Sequence, residues 1–155
     1  MTERIEVTSD QDVVRVRQLV RTFAVTAKLS LVDQTKVVTA ASELARNTLV
    51  YGGGGTVEVS RIENGRRAGI RIVFADQGPG IADLDLALTD GYTTGGGLGL
   101  GLSGARRLVD DFDIDTRVGE GTRITVTKWC NQRSGEAAVR TTTADERRAA
   151  ERGRQ

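Results

Sequence analysis

The sequence predicts a single α+β domain. Apolar residues recur at three- and four-residue spacing in two stretches near the N-terminus. Later stretches alternate apolar and polar residues, as strands with one buried face do. The chain has 155 residues, 38% of them hydrophobic and 28% charged, which suits one globular core.

Ile5 and Val7 alternate with polar neighbours and read as a short strand. Ser9 followed by Asp12 is a helix start signal. Val13, Val16, Val20, Phe23 and Ala27 then form one apolar stripe. Ser30 and Asp33 open a second helix, from about Val32 to Tyr51, with Val37, Ala41, Leu44 and Thr48 inward. Gly52 to Gly55 ends it. Val57 and Val59 mark a strand, Asn64-Gly65 a hairpin turn, and Ile70, Ile72 and Phe74 the return strand. Residues 82–98 read as a long loop, and a helix follows from about Gly101 to Asp111. Phe112 and Ile114, a turn at Gly119 and Gly121, then Ile124, Val126 and Trp129 complete the domain as a second pair of strands.

The domain is expected to span 1–129. Residues 130–155 carry six arginines and four acids with few large apolar side chains. They read as a disordered tail, or as an arm that folds on a partner.

Net charge is +1, so no bulk attraction to nucleic acid or membrane is implied. No apolar run approaches the roughly 18 residues of a membrane span. The N-terminus lacks a secretory apolar core, and Cys130 is the single cysteine, which together suggest a cytoplasmic protein. There is no histidine, so histidine triads, histidine metal sites and histidine phospho-acceptors are excluded for this chain acting alone.

Three elements point to chemistry. Seven of the fourteen residues from 91 to 104 are glycine, and the run passes directly into a helix. Bare backbone before a helix start offers N–H donors to phosphate without any side-chain charge. Gly99, Gly101 and Gly104 fit the dinucleotide fingerprint, but no buried strand directly precedes them, and no lysine completes a P-loop. A flexible loop without a ligand is the alternative. Asp76, followed by Gly78 and Gly80, stands at a strand end, where a carboxylate can accept a hydrogen bond from an exocyclic amine. A plain turn has the same composition. Glu43 and Asn47 are four apart on one helix face at the edge of the core. Asn47 offers a neutral oxygen to Mg²⁺, and Glu43 a carboxylate that can take a proton. Equally, the two residues suit a solvated helix face.

Taken in order, "SELARN", "ADQGPGI", "GLGLGLSGARRLVDDF" and "GEGT…KW" resemble the Bergerat-fold ATP site of gyrase, Hsp90, sensor histidine kinases and anti-sigma serine kinases. Within that superfamily they are most similar to RsbT-type switch kinases, over about residues 5–129. The resemblance implies a two-layer α/β sandwich, with a mixed sheet and helices on one face. It implies that Asp76 binds the adenine amine with Thr122 nearby, and that Gly78 and Gly80 floor the adenine pocket. Asn47 would hold Mg²⁺, Glu43 would act as base, and the backbone of Gly97, Leu98, Gly99, Leu100 and Gly101 would hold the phosphates of ATP under a lid. The implied activity is phosphorylation of a serine or threonine on STAS-domain partners, with the freed kinase then activating a serine phosphatase. An anti-sigma factor that sequesters a sigma subunit, and a nucleotide-gated module without catalysis, are the competing functions. Where sigma-binding relatives carry an arginine before the glycine loop, this chain has Thr93 and Thr94. Arg106 and Arg107 are the nearby cations, and a surface or ion-pair role suits them better than a phosphate contact.

Overall fold

The computed structural model describes residues 1–82, 88 and 101–131. The elements run β1 (Thr2–Val7), α1 (Asp10–Thr26), α2 (Leu31–Val50), β2 (Gly55–Asn64), β3 (Arg67–Asp76), α3 (Gly101–Arg107), β4 (Asp111–Arg117) and β5 (Gly121–Trp129). This is the expected α+β order.

Both long helices start where short polar side chains cap them. The Ser9 hydroxyl accepts from the Asp12 N–H at 3.4 Å. In return the Asp12 carboxylate accepts from the Thr8 N–H at 2.9 Å and the Thr8 hydroxyl at 3.1 Å. The Ser30 hydroxyl accepts from the Asp33 N–H at 3.1 Å. Val13, Val16, Val20 and Phe23 are buried along α1, and Val37, Ala41, Leu44 and Thr48 along α2.

The strands form one sheet in the order β1-β2-β3-β5-β4. Each described pairing is antiparallel, which corrects the expectation of a mixed sheet. The connection through α3 does bring β4 back parallel to β3. The β4–β5 hairpin folds the other way, however, so β5 lies between them and pairs with both. Ile5, Val7, Val57, Val59, Ile70, Ile72, Phe74, Ile124 and Val126 are buried together with the inner stripes of α1 and α2 in one core. Arg4, Glu6, Arg71, Arg123, Asp113 and Asp115 occupy the alternate positions of the strands and are exposed.

Two boundaries differ from the sequence reading. The β2–β3 hairpin closes at Gly65–Arg66, with Asn64 still in the strand opposite Arg67. Gly65 supplies the positive φ of 63° that this tight turn needs. Helix α3 ends at Arg107, not near Asp111, because the Asp110 N–H already donates to Thr127 O at 2.9 Å and starts the sheet. Contacts also run past Trp129. Cys130 is buried, its N–H bonds to Ala68 O, and its Sγ lies 3.2 Å from Lys28 O.

Ser9→Ala and Ser30→Ala are each expected to cost about 1 kcal/mol in denaturant unfolding, with an unchanged m-value. The Thr8 N–H holds the Asp12 carboxyl below its usual pKa, and bonds from Thr8, Arg15 and Ser9 side chains add to this against the effect of burial. Its contribution is complete above the unfolded-state pKa and is lost as pH falls through the folded-state value. Asp12→Asn should therefore flatten the acid limb of a stability–pH profile; an unchanged limb would refute this linkage.

Candidate nucleotide site

The end of β3 and the start of β5 lie side by side, with Asp76 opposite Thr122. Asp76 follows Ile70, Ile72 and Phe74 in the alternation, so its side chain emerges on the helix-covered face at the rim of the core. One carboxylate oxygen accepts from the Gly78 N–H at 2.8 Å and closes a tight turn. The strap from Gln77 to Ile81 then crosses to the other hairpin. The Gly119 N–H donates to Pro79 O at 2.8 Å, and the Ile81 N–H donates to the Thr116 hydroxyl at 2.9 Å. Thr116 and Thr122 share a hydrogen bond of 2.9 Å.

The backbones around Asp76 approach too closely for side chains. A Cβ on Gly52 would fall on the Asp76 carboxylate, and one on Gly78 would lie 2.8 Å from the Gly52 Cα. Gly121 combines a φ of 115° with a position where a Cβ would strike the Asp76 carbonyl oxygen. A Cβ on Gly80 would meet the Arg117 carbonyl in the same way.

Helix α2 delivers its own residues to this place. Asn47 O accepts from the N–H groups of Tyr51 and Gly52, so the turn bearing Asn47 leads directly into the glycine that touches Asp76. Glu43 lies one turn earlier, and both side chains are half-buried beside the inward Leu44 and Thr48. Gly101 opens α3, which packs against α2. Gly97, Leu98, Gly99 and Leu100 lie outside the described residues, as do Thr93 and Thr94. Arg106 and Arg107 are exposed. The structure thus gathers Asn47, Asp76, Gly78, Gly80 and Thr122 at one end of the sheet, with Glu43 one turn away.

Neither Gly52 nor Thr116 is among the site residues that the sequence predicts. Thr116 shows itself as a polar residue on the inward face of β4, in phase with Phe112 and Ile114. Gly52 reads only as a helix stop, because its contact with Asp76 is tertiary.

A polar groove of about 740 Å³ opens against the same strand ends, reaching Arg4, Glu6, Asp115, Arg117, Glu120 and Arg123 on the exposed side of the sheet. Its walls carry both signs of charge and therefore do not select an anion. Gly52, Asp76, Gly121 and Thr122 also line it, and the strand alternation directs the Asp76 side chain to the other face.

Residues 32–132 match the family described as histidine kinase-, DNA gyrase B- and HSP90-like ATPase. The chain belongs to this ATPase family, in which ATP is the nucleotide. It is 41% identical over 125 residues to the serine/threonine-protein kinase RsbT of Bacillus subtilis, covering 81% of this chain and 94% of that one. Within the ATPase family, this is a serine/threonine-protein kinase of the RsbT type. An anti-sigma F factor of Thermoanaerobacter sp. is 24% identical over 119 residues, covering 73% of this chain and 82% of that one. The solved structure of the RsbU and RsbW domains of Rv1364c from Mycobacterium tuberculosis shares the fold, with a TM-score of 0.57 at 20% identity. The match covers 83% of this chain but only 32% of that one. No described helix is long and apolar enough to cross a membrane.

Gly121→Ala is expected to destabilise the fold by about 1–3 kcal/mol. It should also weaken ATP binding, because the added methyl displaces Asp76. Thermal unfolding and calorimetry check both; unchanged values would refute the close packing.

Proposed function

We propose that the chain transfers the γ-phosphoryl group of ATP to a serine or threonine of STAS-domain partners in a partner-switching pathway, and that the released kinase then acts on a serine phosphatase. The observation that carries this reading is the Asp76 carboxylate held among glycines at the strand ends. The 41% identity to a serine/threonine-protein kinase over 94% of that protein's length supports the same reading.

Asp76 has its second carboxylate oxygen available to accept from the adenine amine, since the hydrogen bond to Gly78 uses the first. Thr122 stands opposite it on β5 and completes that edge. Gly78 and Gly80 turn the backbone under the flat ring without side chains that would block it. The backbone of Gly97, Leu98, Gly99, Leu100 and Gly101 would hold the phosphates through N–H groups. Asn47 is a neutral oxygen donor and suits Mg²⁺, whose charge the phosphates balance. Bound there, Mg²⁺ would neutralise charge developing on the transferred group. Glu43 would accept the proton of the attacking hydroxyl. Transfer adds nearly two negative charges to the partner's surface, enough to break a packed interface.

With labelled ATP and candidate STAS proteins, label should appear on a partner serine or threonine. Glu43→Gln should slow transfer about a hundredfold or more. Asp76→Asn should weaken ATP binding by about ten- to a hundredfold in calorimetry, the scale of a lost hydrogen bond to a charged group. Unchanged ATP affinity in Asp76→Asn would overturn the adenine assignment. The likeness to anti-sigma F factors supports a second reading, sequestration of a sigma subunit. Tight sigma binding without transfer would select it.

A further inference from the structure

The nucleotide site leaves one charged network unexplained. Lys128, near the end of β5, is buried, whereas Lys28 and Lys36 are exposed. Its ammonium lies 3.5 Å from Asp33 Oδ1 and 3.3 Å from Asp110 Oδ1. The other oxygen of Asp33 accepts from Asn131 Nδ2 at 3.1 Å, and that of Asp110 from the Trp129 N–H at 2.7 Å. Both carboxylates are therefore satisfied at both oxygens.

Lys128 and Asp33 are buried while Asp110 is exposed to solvent. A buried ion pair is seldom the most stable way to fill a core, and an apolar replacement of similar volume is often as stable. A network of this kind does fix direction, since a charge has far fewer acceptable positions than a methyl group. What Lys128 fixes is specific. Asp33 lies in the first turn of α2, and Asp110 follows α3 by three residues. The two helices pack on each other, and the start of α2 and the exit of α3 both meet Lys128 at this one point of the sheet. Their other ends carry Asn47 and Gly101. Glu43 and Asn47 lie ten and fourteen residues beyond Asp33, about 15 and 21 Å along the axis. Thr122 lies six residues before Lys128 on β5, about 20 Å away. Asp76 and Thr122 are held by the sheet itself, whereas Glu43 and Asn47 are held by α2.

We infer that Lys128 is a positioning residue for the phosphoryl-transfer site: it fixes the register of α2 and the exit of α3 against β5. The metal-facing residues thereby meet an adenine pocket built on different elements. The inference rests on the reading of Asn47 as the Mg²⁺ ligand.

The test measures calorimetric affinity for AMP-PNP, a non-hydrolysable ATP analogue, in EDTA and in Mg²⁺. Three proteins are compared: the native chain, Asn47→Ala, and a neutral triple variant (Asp33→Asn, Asp110→Asn, Lys128→Met). The triple variant should keep its affinity in EDTA within about twofold, because the adenine pocket is remote from the substitutions. Its gain in affinity on adding Mg²⁺ should shrink at least about tenfold, the scale of a misplaced ligand. Asp110→Asn is a milder variant that keeps an acceptor for the Trp129 N–H, and it should show the same split to a smaller extent. A native Mg²⁺ gain in the triple variant, with the gain lost in Asn47→Ala, would overturn the role of Lys128 alone. Equal loss of both affinities would reduce the network to a fold element and overturn the inference. So would a triple variant that does not fold combined with a native split in Asp110→Asn. Retention of the gain in Asn47→Ala would overturn the reading of Asn47, and the inference with it.

Discussion

The fold depends at one point on backbone meeting a carboxylate with no side chain between them. The end of α2, the strap after β3 and the turn before β5 all converge on Asp76, and each reaches it through a glycine. Gly52 allows the helix to touch the acid, Gly78 closes the turn around it, and Gly121 brings the neighbouring strand over its carbonyl. Three elements that share no local sequence are held in fixed relation by this contact. A rigid acceptor in a partly apolar rim distinguishes an amine from a carbonyl on a flat ring, because the wrong partner leaves a polar group unpaired.

The division of labour follows from which elements hold which residues. The antiparallel sheet carries Asp76 and Thr122 in fixed register, and a strand cannot slip by one residue without turning Ile72, Phe74, Ile124 and Val126 to solvent. The α2 helix carries Glu43 and Asn47, and a helix on a sheet is free to slide or rotate unless something pins it. The inner stripe of Val37, Ala41, Leu44 and Thr48 limits rotation, and the Lys128 network limits translation. Hydrophobic burial supplies the stability, while the polar contacts set where the parts come to rest.

Much of this was legible in the sequence because local signals and tertiary demands agree. Ser9 and Ser30 each precede an apolar stripe, and both cap helices. Alternation placed Ile70, Ile72 and Phe74 on a buried face, and that parity puts Asp76 at the rim. The misreadings share a physical cause. Helix α3 was extended to Asp111 because Leu108 and Val109 continue its apolar period. The Asp110 N–H instead bonds across to Thr127, which periodicity does not reveal. The mixed sheet was implied by the family resemblance alone, and nothing local in the sequence shows that β5 inserts between β3 and β4. Gly52, Thr116 and Lys128 act through partners 24, 35 and 95 residues away, so their chemistry appears only when the chain is folded.

The insertion of β5 between β3 and β4 also governs when the protein begins to exist as an enzyme. Asp76 is synthesised near the middle of the chain, but the strand that faces it comes from the last fifth of the domain. A ribosome-bound chain lacking that hairpin has an exposed β3 edge and only half of the proposed adenine pocket. In the proposed site Asp76 would face Thr122 only after the β4–β5 hairpin docks, so a translation product ended before that hairpin would lack this edge of the pocket.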